Sequence, residues 1–406
     1  MRTRILVLTA ALLVWTSAPV RAAAPPAADL PESVTFAEHI APLVFENCTS
    51  CHRPGQVAPF SLLTYADTRK RAKTMLRVMQ DRYMPPWQPE PGLGEFRDAR
   101  RLTDTQIALF EKWVKADAPE GDPKKTPPAP KFADGWRLGK PDLVVKMDRP
   151  FAVPAEGPDI YQNFVIPLGL TEDKWVTAVD FQATAPTVLH HILYFLDDAG
   201  RAAKLAPKDG QPGFPGMMGK GFRPTGRLGG WAVGATPVKL PDGLAYPAKK
   251  GSDLVLQTHF HLSGKAESET LTIGIYFADT APKRHLAGLQ LPSAYGLFSR
   301  VDIPAGGEFK ATDTFTLPVD VDLVGASAHA HYIGKTLKAS ATLPGGKEQP
   351  LLSIRDWDFN WQGQDLYKDY VRLPKGTVIR GEVTWDNTAA NPRNPSSPPV
   401  RVRWGE

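Results

Sequence analysis

Near residue 141 the apolar periodicity of this chain changes, and that change limits what it can fold into. Before it, apolar residues recur at helical spacing. Phe36, Ile40, Leu43 and Val44 share a face after the capping box Thr35–Glu38, and Ile107, Phe110, Trp113 and Val114 form a second stripe after Thr103–Gln106. After it, side chains alternate with period two. Trp175, Thr177, Val179 and Phe181 share one face of a strand. The runs 188–196, 254–260, 271–277, 314–319, 378–385 and 400–404 read as further strands. Forty prolines and 34 glycines in 406 residues suit a β-rich chain with many turns. The expected fold is multidomain: a small all-α domain over 23–122, a Pro-rich linker over 123–140, and two all-β antiparallel sandwiches, jelly-roll-like, over 141–298 and 299–406. Residues 205–250, rich in Gly and Pro, read as a long loop or lid.

Residues 1–22 read as a secretory signal. Arg2 and Arg4 precede an apolar run from Ile5 to Val14, and Val20-Arg21-Ala22 forms a small-residue cleavage site. That run is too short for a permanent span, so the expected location is the periplasm or outside the cell. Losing Arg2, Arg4 and Arg21 lowers the formal net charge from +5 to +2. No basic cluster with interleaved aromatics points to nucleic acid.

There are two cysteines, both within Cys48-Thr49-Ser50-Cys51-His52, which excludes a disulfide framework for nearly all of the chain. Cys-x-x-Cys-His is the attachment motif of a c-type haem, with the histidine as proximal iron ligand. A redox dithiol would want a βαβ context, and a zinc site would want two more ligands where only His39 is near. Met84 is the expected sixth ligand. It stands in Met84-Pro85-Pro86-Trp87, which the prolines hold extended, whereas its rivals Met75 and Met79 share a helical stretch with Leu76 that core packing explains.

The other histidines include three pairs in strand-like stretches: His190-His191, His259-Phe260-His261 and His329-Ala330-His331. Strand residues i and i+2 share a face, so the last two pairs can each reach one metal. His190 and His191 can bind one ion only if the strand ends or bulges there. A single pair is equally well a satisfied core pair, but three pairs in one β region point to metal. No cysteine is left for a blue-copper site. Imidazole suits copper, zinc or non-haem iron, and a haem motif in the same chain favours copper or iron.

The segments 188–195, 230–234 (Gly-Trp-Ala-Val-Gly), 254–260 and 329–335 together resemble the type II copper monooxygenases, which include the peptidylglycine and dopamine hydroxylases. The resemblance covers roughly residues 141–406, and the front region resembles the cytochrome c module joined to such domains in some bacterial proteins. It implies one copper in each of two sandwiches across a solvent-filled cleft. His190, His191 and His259 would bind the electron-transferring copper, and His329 and His331 the copper where dioxygen meets substrate. His261 is not carried over and ranks as a rim residue; His39 and His285 rank as structural. The chain departs from the family in one respect that bears on the chemistry. The family's oxygen-activating copper has a methionine ligand downstream of His-x-His, but the last methionine here is Met218. Either the sequence stops short, or the second copper is held differently, or that site does no oxygen chemistry. The family's disulfides are absent too.

The expectation is an exported haem–copper oxidoreductase: a copper monooxygenase that hydroxylates a C–H bond of a small-molecule or peptide substrate with dioxygen. An upstream donor would supply it through the haem in place of ascorbate. The rival is a non-catalytic copper-binding electron carrier or copper-handling protein, which the missing methionine favours. A third reading, a structural β protein with decayed sites, conflicts with retention of five of the six copper ligands expected.

Overall fold

The computed structural model describes residues 30–132, 135–205, 210–216, 223–284, 286–291 and 301–403. The signal read over 1–22, the boundary expected at 298/299 and His285 lie outside the described residues.

Three α-helices lie near the front: α1 (Ala41–Asn47), α2 (Tyr65–Gln80) and α3 (Asp104–Lys115). The Thr35 hydroxyl accepts from the Glu38 N–H ahead of α1, and Thr103 and Gln106 form the full capping box of α3. These caps satisfy backbone N–H groups that have no partner within the helix. The predicted apolar stripes meet in one core, where Phe36, Ile40, Phe110 and Trp113 are essentially inaccessible to solvent.

The expected all-α cytochrome c domain is not evident, and that reading is corrected. The chain is mostly β, with 33% strand against 14% helix. Residues 81–103, between α2 and α3, contain no helix. Prolines at 85, 86, 89 and 91 prevent one. Denied intrahelical partners, this backbone pairs with the β region instead. The Glu90 N–H donates to Ser353 O at 2.8 Å, Arg97 N–H to Leu366 O at 2.7 Å, and Phe96 forms a β-bridge with Tyr367. Phe96 and Trp87 pack in the core of the second β unit. The middle of this segment therefore belongs structurally to the second β unit, while its ends stay with the helices, through Tyr83 N–H on Val78 O and Leu102 in the helical core.

The first β unit carries β1 (Ile160–Pro167), β2 (Lys174–Gln182), β3 (Leu189–Asp197), β4 (Gly226–Ala232), β5 (Asp253–Phe260) and β6 (Thr272–Phe277). One antiparallel sheet runs, in spatial order, Phe214–Pro215, β1, β5, β3, β4. The other runs Leu143–Lys146, β6, β2, Tyr246–Ala248. Phe164, Ile192, Leu256 and Trp231 from the first sheet share a core with Val176, Ile273 and Ile275 from the second. The 205–250 stretch is not simply a loop or lid: β4 lies within it and pairs with β3. Its glycines did not prevent pairing, because Gly230 sits at an edge strand against the Ile192 carbonyl, where a Cβ would meet that oxygen at 2.8 Å.

The second unit carries β7 (Glu308–Thr316), β8 (Val321–Ala326), β9 (Gly334–Thr342), β10 (Glu348–Ile354), β11 (Asp365–Leu373) and β12 (Val378–Asp386). Its strands form a sheet in the order β7, β12, β9, β10 and a ladder of β8 with β11. Leu351, Leu373 and Ile379 pack between them.

Candidate metal centre

The His190-His191 pair opens β3, and His259 lies near the end of β5. The two strands are neighbours, and their register shifts between Leu189 and His191. That irregularity turns adjacent histidines toward one place, as a regular strand could not. His190 Nδ1 and His191 Nδ1 are 3.2 Å apart, and His259 Nδ1 is 3.3 Å from His191 Nδ1. Ligand atoms of all three histidines lie within 4.8 Å of one another. A tetrahedral centre with metal–nitrogen bonds of about 2.0 Å sets its nitrogens roughly 3.3 Å apart.

Protons alone do not satisfy this cluster. His259 gives its Nε2–H to Asp159 Oδ2 at 2.8 Å, so its Nδ1 presents a lone pair. A proton on His191 Nδ1 can serve only one of its two neighbours, whereas a cation serves all three. His190 Nε2 is buried and has no hydrogen-bond partner, so only its Nδ1 side is engaged. Burial, with mutual repulsion, pushes the pKa of His190 down to about 4 and of His191 to about 2. Both rings are therefore neutral at ordinary pH, the form that ligates metal. The residues fit a metal ion, and an all-imidazole set suits zinc, copper, iron or nickel alike.

Around the centre, Tyr161 stacks on His259 with ring centroids 4.2 Å apart, and Phe359 stacks on His190 at 5.0 Å. Burial, with help from Asp159, pushes the Tyr161 hydroxyl up to about 12. His261, just past β5, is exposed and pairs with Asp159 Oδ1 at 2.9 Å instead of joining the three.

His329 and His331 were expected on a strand. They lie in the loop between β8 and β9 instead. Their rings are 5.3 Å apart and nearly perpendicular. His329 Nδ1 is 2.6 Å from Gln362 Oε1, which makes Nδ1 the donor and leaves Nε2 for a ligand. Desolvation holds His329 below the ordinary histidine pKa. The Trp357 indole donates to the Ala330 carbonyl between the two histidines at 3.2 Å. The Phe359 ring reaches both sets, lying 5.9 Å from His331. One phenyl ring thus stands between the two sets.

In the front motif Cys48 and Cys51 are both free thiols, and burial pushes the Cys48 thiol up to about 12. His52 Nδ1 is 3.2 Å from the Phe60 carbonyl, so Nε2 is left for an iron. These three residues fit haem attachment. Met84 lines a small cavity with Met79, Arg82, Pro85, Trp87, Arg101 and Leu102; none of the haem-motif residues borders it. His39 Nδ1 accepts from the Thr35 N–H at 3.2 Å, away from the thiols, so the structure offers the zinc alternative no support there.

Sequence reasoning missed Asp159, Tyr161, Phe359 and Gln362. Tyr161 lies on β1, a strand that the alternation reading did not include; the others lie in irregular chain.

No protein-family model and no curated protein matches this chain. Among solved structures it is similar to a candidate alpha-L-fucosidase from Bacteroides ovatus ATCC 8483, at 8% identity and a TM-score of 0.17 over 75% of this chain and 43% of that one. The chain therefore spans under half the length of that protein. It is also similar to the PBSX exported protein XepA, at 9% identity and a TM-score of 0.10 over 63% of this chain and 99% of that one. Similarity this low supports no argument about fold or activity.

Proposed function

We propose that this chain is a haem–copper oxidoreductase working as a copper monooxygenase on a C–H bond, with a c-type haem on Cys48 and Cys51 as its expected electron donor. The convergence of His190, His191 and His259 through their Nδ1 atoms carries the reading. When bound, copper supplies one-electron chemistry and dioxygen binding; inserting one oxygen atom into C–H consumes two electrons and two protons, and the other atom leaves as water. The chain's own residues do the rest. His190, His191 and His259 hold one ion in a site closed by Tyr161 and Phe359. His329 and His331 offer a more open site, where Gln362 orients the His329 ring. Phe359 keeps the two sets within one ring of each other, stacking on His190 and meeting His331 edge-on. His52 offers an iron ligand oriented by the Phe60 carbonyl.

The second reading is a copper-binding electron carrier. One observation favours it: among the described residues the first centre is the group of three convergent His, Cys, Asp or Glu side chains, and that group includes neither His329 nor His331. Metal analysis of haem-loaded, copper-reconstituted protein separates the two. About two coppers and one haem per chain, with oxygen uptake on reduction, supports the monooxygenase. One copper and no oxygen uptake leaves the carrier.

A further inference from the structure

Asp159 sits just before β1 and faces three side chains. Its Oδ2 is 2.8 Å from His259 Nε2, and its Oδ1 is 2.9 Å from His261 Nδ1. Burial, with the nearby Asp159 charge, raises the pKa of Tyr332 in the second unit. Tyr332 in turn packs on Phe359 at 4.4 Å. The carboxylate thus spends one oxygen on His261 and the other on a histidine of the metal centre.

We propose that Asp159 is the positioning residue that makes His259 ligate through Nδ1. The inference rests on the copper reading of this centre. An imidazole can present either nitrogen, and turning the ring over moves the ligand atom and swaps the tautomer. A carboxylate on Nε2–H removes that choice, fixes the ring and makes Nδ1 a stronger donor. His261 holds the carboxylate against rotating away. The bland alternative is an exposed ion pair with His261, worth little at a surface. It does not account for the contact to His259, which is fully buried.

The test is a copper(I) titration of the full chain against a chromophoric chelator, for wild type, Asp159→Ala and Asp159→Asn. Raman spectra of the ligated imidazoles, which distinguish Nδ1 from Nε2 coordination, are recorded alongside. Asp159→Ala is expected to weaken the first centre about 10–100-fold and to introduce an Nε2 signature. Asp159→Asn keeps an oxygen acceptor, so it should lose less affinity and keep the Nδ1 signature. If thermal melting shows the alanine variant unfolded, the asparagine variant and His261→Ala carry the test, each with a smaller loss in the same direction. Folded variants with wild-type affinity and a pure Nδ1 spectrum would overturn the inference while leaving the copper reading standing. A wild type that takes up no copper at this centre removes both.

Discussion

At the scale of single residues, the centre depends on three lone pairs that point at one another. Removing one imidazole takes away a third of the donors and leaves a void in a buried site whose geometry needs all three. His190→Ala is therefore expected to lower bound copper by about one ion per chain, read by metal analysis, with the haem spectrum unchanged. The histidines themselves were legible, because their residue type and pairing announce a ligand role. Asp159, Phe359 and Gln362 were not. An aspartate in a turn, a phenylalanine in a loop and a glutamine carry no periodic signal, and each acquires meaning only from the ring it touches.

At the scale of elements, local chemistry and observed structure agree closely where the signal is local. The α3 capping box was visible as Thr103 and Gln106 three residues apart, and both reciprocal bonds form. Thr103→Ala should cost about 1 kcal/mol of stability, read as a lower urea midpoint with the cooperativity retained. Strands at 174–182, 189–197, 253–260 and 378–386 fall where alternation placed them. The loop holding His329 and His331 does not. A histidine–alanine–histidine triplet alternates as a strand does, but Trp357 takes the Ala330 carbonyl that a ladder would have used. The bulge at His190-His191 was anticipated only as a condition for shared ligation, and its cause is the pairing of β3 with β5.

At the scale of the whole molecule, the front of the chain is not separable from the back. Phe96 is 3% exposed and stacks on Tyr367 at a centroid distance of 4.9 Å. Phe96→Ala is expected to cost about 3–5 kcal/mol and to split one calorimetric transition into two, as the helical region loses its hold on the second unit. Asp365 reports the same junction, through its charge interaction with Arg100. Burial pushes its carboxyl up to about 6, against the pull of Arg100. The folded protein then holds this proton more tightly than the unfolded chain does. Its contribution to stability is complete below the ordinary carboxylate pKa and is lost as pH rises through about 6. Asp365→Asn should flatten that slope, seen in urea midpoints at about pH 5 and about pH 7.

The sequence by itself determined the local periodicities, the helix caps, the Cys-x-x-Cys-His spacing and the short list of side chains able to hold a metal. All of these follow from residue type and spacing within a few positions. Tertiary structure decided which histidines meet, because His259 is far along the chain from His190 and reaches it only through strand pairing. It also decided that the middle of 81–103 joins the β region, since prolines say what a segment cannot be but not where its unpaired backbone will find partners. It decided, finally, that one phenyl ring stands between the two histidine sets, because loop packing depends on surfaces that no single stretch of sequence contains.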